Sequence, residues 1–459
     1  MLYFNSLIFH KKLMEKGFFM PILLLLLCQP AVAQDSDSFF KFDLLLRYRF
    51  ELWDGFNAKN YGDDSPDAVG NLNDKFLLQR IIPGIIYRRG KIKAEFHMQD
   101  SRAFGWSLSR KNYPDLYKVG NPLSDNSFYV MNPQEEYFEI YDLFVEYRGL
   151  LKNLSVKAGR QKIFYGDWRI FEMSQWGNTG RYTWDAIKIS YRKDDEYIDV
   201  FGGGTKIHDP EKTHVPFTHL EYLGGGIYSH KKLTSWLDAE PFYALKIPGT
   251  ADYIRTRSLN RNWAGIKFLS PEDKRFSYDV LYAREFGSEA GQRIKAHGFG
   301  LRTTCRLDGL PAAPELSLAY YYASGDKPGD DIIQTFDPVY GSRARFHGFM
   351  GFVSWSNLSN PQFSLKLSGS GKRMYVELKH MLFYIPEPEN CTFLNTMKLK
   401  DGCNHLGNET NLYFRHQPNK HWQLTGILGY FTPGDIEQIS LKEPENAFWM
   451  GLQVQYSLN

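Results

Sequence analysis

Residues 42–52 read Phe-Asp-Leu-Leu-Leu-Arg-Tyr-Arg-Phe-Glu-Leu, and their spacing decides the fold. Leu44, Leu46, Tyr48, Phe50 and Leu52 fall on one face of an extended chain; Asp43, Arg47, Arg49 and Glu51 fall on the other. Side chains of a strand alternate between its faces, so this is a strand with one apolar and one polar side. Residues 91–99 repeat the pattern, with Ile92, Ala94, Phe96 and Met98 opposing Lys93, Glu95, His97 and Gln99. So do residues 276–285 and, near the end, Phe448, Met450, Leu452, Val454 and Tyr456 against Gly451, Gln453 and Gln455.

Soluble sandwiches also alternate, but they turn the apolar face inward and use many short strands. Here the strands run to about 10 residues with aromatic ends, the pattern of a transmembrane barrel that faces lipid on one side and a polar lumen on the other. Closing the sheet would also remove its edges. Eighteen strands can be placed, among them 41–53, 219–230, 234–247, 362–369 and 447–458. An even number is what single-chain bacterial barrels require. Tight links such as Arg88-Arg89-Gly90, Lys193-Asp194-Asp195 and Gly369-Ser370-Gly371 fall on one side, the periplasmic one. Long connections near 102–136, 163–182, 324–361 and 385–406 fall on the other, the extracellular one. The expected fold class is all-β: an 18-stranded antiparallel transmembrane β-barrel.

Composition agrees. Of 459 residues 16% are aromatic (29 Tyr, 34 Phe, 10 Trp), with 39 Gly, a mixture suited to β-structure with aromatic girdles. A mean hydropathy of −0.43 excludes a helical membrane protein. Residues 1–33 have the parts of an export signal: basic Lys11, Lys12 and Lys16, an apolar stretch from Phe18 to Cys28, and an Ala31-Val32-Ala33 cleavage site. Removing it would leave 34–459 as the barrel domain and take away three Lys and Glu15, so 55 basic and 52 acidic residues become 52 and 51. A formal charge of +1 gives no support to a nucleic-acid partner. The expected location is the bacterial outer membrane, with its lipid and the barrel-assembly machinery as partners. Gly451, Val454 and Tyr456 fit the terminal signal such machinery reads, although Trp449 takes a polar place and Ser457-Leu458-Asn459 follow.

Enzymatic and metal chemistry finds little footing. There is no C-x-x-C or H-E-x-x-H. Gly202-Gly203-Gly204 and Gly224-Gly225-Gly226 lack the Gly-Lys-Ser/Thr of a phosphate loop, and are better explained by strand curvature or close loop packing. His208-Asp209 and Asp199 have no serine in a nucleophile setting. No catalytic residue, cofactor or metal is expected. Cys391 and Cys403 share an external loop, and their spacing allows a disulfide without requiring one. Cys305 reads as a small lipid-facing residue.

One segment concentrates charge: Gly159-Arg160-Gln161, Tyr165-Gly166-Asp167, Arg169, Trp176, Asn178, Arg181 and Trp184-Asp185. Arg–carboxylate pairs hold a loop in one shape. Either they only brace it, or the loop folds into the lumen and presents arginine to a solute; both can hold. This ordered set resembles the signature of the alginate export family of outer-membrane barrels. Gln99-Asp100-Ser101-Arg102, Ala323-Ser324-Gly325-Asp326, Thr335-Phe336-Asp337-Pro338, Gly407-x-Glu409 and Gly429-Tyr430-Phe431 are similar to further parts of it. Asn411 departs from it, standing where an Asp is expected. The resemblance implies an 18-stranded barrel and passage of a hydrophilic, anionic sugar or polysaccharide such as alginate. The expected lumenal cations are Arg47, Arg49, Arg80, Lys93, Arg102, Arg160, Arg169 and Arg181, with Glu51, Glu95, Asp100, Asp167 and Asp185 as partners. The expected solute partner is an anionic or neutral oligosaccharide; a general porin with no solute preference, or a surface-binding structural barrel whose loops engage a partner, are the other readings.

Overall fold

Every backbone N–H and C=O that crosses a bilayer must be paired within the protein. The computed structural model describes residues 38–55, 73–107, 118–119, 129–130, 132–172, 176–180, 182–210, 212–250, 258–271, 274–329, 331–341, 344–369, 371, 373–389, 397–439 and 444–458. In it the chain meets that demand as an up-and-down meander of 18 strands. The first half comprises β1 (Ser38–Asp54), β2 (Asp74–Arg89), β3 (Ile92–Phe104), β4 (Glu136–Arg148), β5 (Leu154–Lys162), β6 (Thr183–Lys193), β7 (Glu196–Lys206), β8 (Leu220–Thr234) and β9 (Leu237–Pro248). The second comprises β10 (Leu259–Leu269), β11 (Phe276–Glu289), β12 (Gln292–Arg306), β13 (Glu315–Ala323), β14 (Leu358–Ser368), β15 (Met374–Tyr384), β16 (His405–His416), β17 (Trp422–Pro433) and β18 (Ala447–Ser457). Each pairs antiparallel with the next, and β18 returns to β1, with Leu45 opposite Ser457 and Asp54 opposite Phe448. The ring is closed.

The largest boundary shifts fall at two expected strands. β14 begins at Leu358 rather than 362 because Pro361 sits inside it, opposite Tyr320 of β13, at a gap in the ladder to β15. A proline without an N–H is tolerated where no ladder bond is required. β8 runs on to Thr234 through an irregular register between Lys232 and Thr234. The tight turns and both ends of the described barrel lie at one rim. The long connections lie at the other, where Ala290-Gly291 is also tight, both residues taking positive φ as a two-residue hairpin turn requires.

The two faces separate as the alternation dictates. Val145 (54% exposed), Leu318 (63%) and Leu452 (50%) point outward, whereas Arg49 (2%) and Gln453 (6%) point inward. Leu452 lies midway along β18. Leu452→Arg should cost about 2–4 kcal/mol of stability in phospholipid vesicles, read by denaturant unfolding, while the neighbouring Gln453→Arg costs less than about 1 kcal/mol. Equal costs would contradict the assignment of faces.

Candidate solute pathway

The lumen is not an empty tube. The described residues of two connections, 163–172, 176–180 and 182 in the first and 324–329, 331–341 and 344–357 in the second, leave the long-loop rim and fold inward, and aromatic side chains dock them. Tyr165 stacks on Tyr228 of β8 at 4.4 Å, and Phe171 on Tyr340 of the second loop at 5.8 Å. Phe352 stacks on Phe431 of β17 at 4.0 Å. Glycines of β8 make room for this. Gly203 of β7 faces Gly224 of β8. A Cβ on Gly224 would lie 2.6 Å from the Tyr340 hydroxyl. A Cβ on Gly226 would lie 3.0 Å from the Phe171 ring, so Gly224 and Gly226 of β8 pack close to the infolded loops, while the β7 triplet packs close to its neighbouring strands.

Polar groups fix the first loop at both of its sides. On one side, Arg47 donates to the Gly177 carbonyl (2.7 Å) and to Asn178 Oδ1 (3.2 Å), and Arg80 to the Gly177 carbonyl (3.3 Å). Arg49 donates to the Trp176 carbonyl, lies over the Trp176 ring at 4.2 Å and pairs with Glu51 at 2.7 Å. Ser101 donates to the Asn178 carbonyl at 2.7 Å, and Gln99 to that of Thr179 at 2.9 Å. On the other side, Arg169 pairs with Asp167 of the loop (2.6 Å) and with Asp279 of β11, which also holds Arg302 of β12 at 2.8 Å. Lys267 of β10 reaches Asp167 at 3.2 Å. Burial acts to raise the Asp167 pKa, but Arg169 and Lys267 outweigh it and hold the carboxyl well below the usual range.

The expected site residues divide by surroundings. Arg47, Arg80 and Glu95 line a cavity of about 720 Å³. Its walls come mainly from the strand halves nearest the short turns, with Lys162 and Tyr321 reaching in from farther along their strands, and Trp168, Trp176, Phe346 and Phe349 of the two loops form its ceiling. Lys93 pairs with Glu95 on β3. Arg102 pairs with Asp100 at 2.7 Å, and both occupy the strand positions alternate to Gln99 and Ser101. Arg160 is 0% exposed, with Asp185 in a two-point grip at 2.7 and 2.9 Å, Glu139 at 2.9 Å and the His214 carbonyl at 2.8 Å. Gly159 beside it takes φ +124, and a Cβ there would lie 2.2 Å from the Leu143 carbonyl, which explains the glycine in Gly159-Arg160-Gln161. Arg181 and Cys391 lie outside the described residues, as do residues 1–33; Cys403 is half-buried.

Several lining residues were not singled out from sequence: Asp43, His97, Asp142, Lys162, Arg302, Glu377, Lys379 and Arg415. The available signal was parity, since His97 shares a face with Lys93 and Glu95. Glu95, His97 and Asp142 bring ligand atoms within 4.8 Å of one another. Lysines already balance that cluster, Lys93 at Glu95 and Lys162 at 3.0 Å from Asp142, while the His97 ring lies 3.3 Å from Asp43.

A closed 18-stranded barrel with an apolar belt, a charged lumen and infolded loops is an outer-membrane channel of porin type, and its lipid contacts and passage of small solutes follow from that. The alginate export family is matched over residues 41–443, and the chain belongs to it. Solved structures share the fold at low identity. OccK3 (OpdO) of Pseudomonas aeruginosa has a TM-score of 0.56 at 11% identity, covering 91% of this chain and 96% of that one. OccAB2 of Acinetobacter baumannii has 0.58 at 11%, covering 92% and 98%. OpdK of P. aeruginosa, solved with vanillate, has 0.57 at 10%, covering 91% and 98%. No curated protein sequence matches.

Arg160→Ala would strand Asp185 and Glu139 in a buried site. It should destabilise the folded barrel by about 3–5 kcal/mol, read by denaturant unfolding and by loss of the fast-migrating unheated band on a detergent gel. Arg160→Lys keeps the charge but loses the two-point geometry, and should fall between.

Proposed function

We propose that the barrel passes hydrophilic, anionic sugars or oligosaccharides passively, and that Arg80 and Arg415 supply its charge preference. The observation that carries this is the chemistry of their acceptors. Arg160 and Arg169 are held by carboxylates, which cancel their charge. Arg80 donates to Gln99 Oε1 at 2.8 Å and to a backbone carbonyl, and Arg415 to Gln417 Oε1 at 3.2 Å. Neutral acceptors orient a guanidinium without cancelling its field, and both side chains line the cavity. The full lining carries six Arg or Lys against five Asp or Glu. That near-balance favours transit over trapping: cations offset the desolvation of a solute's carboxylates, and nearby acids prevent a deep well. Family membership supports the substrate class, with alginate as one case, and the vanillate bound to OpdK is also a carboxylate. The reading includes export by residues 1–33 with cleavage before Gln34, insertion by the barrel-assembly machinery, and no catalysis.

A charge about 6 Å from a passing monovalent ion contributes roughly 1–3 kcal/mol in a narrow aqueous lumen. The double variant Arg80→Glu/Arg415→Glu should therefore lower the chloride-to-potassium permeability ratio at least about fivefold, read as reversal potential in a planar bilayer under a salt gradient. An unchanged potential in a variant that still conducts would overturn the assignment of the charge preference to Arg80 and Arg415.

A further inference from the structure

One wall of the cavity carries a run of aromatic rings that charge does not explain. Tyr375 is the second residue of β15, at the short-turn rim. Tyr413 of β16 lies 5.5 Å from it, ring centre to ring centre, with 20° between planes. Phe349 of the second infolded loop follows at 5.8 Å and 20° from Tyr413, and Trp449 of β18 at 6.3 Å and 8° from Phe349. The run climbs from the rim to the underside of the loops. Tyr375, Tyr413 and Phe349 are half-buried and line the cavity, while Trp449 is fully buried behind them and anchors the top.

Parallel stacking also occurs in the packed cluster above the cavity, where Tyr165 and Tyr228 lie 6° apart; this run differs in being half-buried along open space. On this wall all three successive steps are near-parallel, with centres in the range of offset rather than face-on stacking, so each ring keeps part of a face uncovered. Side chains that donate and accept hydrogen bonds flank the run on the same wall: Asn411, Gln423, Thr425 and Gln453. A pyranose presents an apolar C–H face and a rim of hydroxyl groups. An apolar strip bordered by amides and hydroxyls complements both, whereas a small non-sugar anion has no use for the strip.

We propose that Tyr375, Tyr413 and Phe349 form a track on which the pyranose rings of an oligosaccharide stack in succession as it moves between the short-turn rim and the infolded loops. The proposal rests on the channel reading of the cavity and adds that the sugar ring itself, not only its charge, is recognised.

The test is equilibrium dialysis of the full folded barrel in detergent micelles, which reads binding whether or not the channel conducts. The probes are a neutral glucose hexasaccharide, a uronate hexasaccharide and a small aliphatic dicarboxylate. Wild type should bind both hexasaccharides more tightly than the dicarboxylate. Tyr413→Ala should weaken both hexasaccharides about fivefold or more, and Tyr413→Phe should stay within about twofold of wild type, since the ring and not the hydroxyl is required. Should Tyr413→Ala lose its fast-migrating unheated band, Tyr375→Ala at the rim is read in the same way. Arg80→Glu should weaken the uronate chain more than the neutral one. Neutral hexasaccharide that fails to bind wild type, or that binds the alanine variant equally well, overturns the track. Ring-dependent binding without any preference for uronate overturns the charge reading and leaves the track standing.

Discussion

A peptide group without a partner in hydrocarbon costs several kcal/mol, and the rest of this structure depends on that constraint. It forces the first and last strands together, so that Leu45 to Asp54 of β1 satisfies Phe448 to Ser457 of β18. Once the sheet closes, each strand has one face for lipid and one for the interior. Polar side chains within the membrane then have only the lumen to occupy. The mixed charge of that lumen is therefore a consequence of closure before it is an adaptation to a solute.

A lumen full of charge creates a second demand. Guanidinium groups withdrawn from bulk water need acceptors. Two infolded loops supply many of them, and the same bonds hold the loops. Arg47, Arg49 and Arg80 grip the carbonyls of Trp176 and Gly177, while Arg169 reaches across to Asp279. The aromatic rings between these anchors find their floor where glycines of β7 and β8 face each other. Loop placement and arginine orientation are one problem with one solution, and the cavity below the loops is what that solution leaves open.

Period-two alternation was enough to reveal the strands, because the bilayer enforces it on nearly every one. It failed where a local event broke the period: at Pro361, placed outside a strand that in fact contains it, and at the irregular end of β8. The pathway was legible in part. Parity put Arg47, Arg80 and Glu95 on the inner face, and the same rule extended along β3 reaches His97. Parity could not show that Gly159 and its positive φ lead into an Arg160 enclosed by Asp185, Glu139 and the His214 backbone, since the two carboxylates come from the strands on either side and the carbonyl from a loop further along the chain. The aromatic run was equally hidden. Tyr375, Tyr413, Phe349 and Trp449 come from three strands and a loop, and only strand pairing and the infolded loop bring them into line.

The sharpest division among the arginines concerns their acceptors, which residue type cannot express. Arg160 and Arg80 are both buried and both hydrogen-bonded. A carboxylate acceptor removes the hydrogen-bonding need and the charge together, and the side chain becomes a brace. An amide or carbonyl acceptor removes the need and leaves the charge, and the side chain becomes a fixed source of field at the cavity wall. The conspicuous Arg-and-carboxylate segment from Gly159 to Asp185 is by this measure largely architecture within its described residues: it seats the loop that roofs the cavity. On the charge preference proposed above, the field comes from Arg80 and Arg415, whose acceptors are neutral. Arg80 also holds the loop through the Gly177 carbonyl, so one guanidinium can fasten a loop and still keep its charge at the cavity wall.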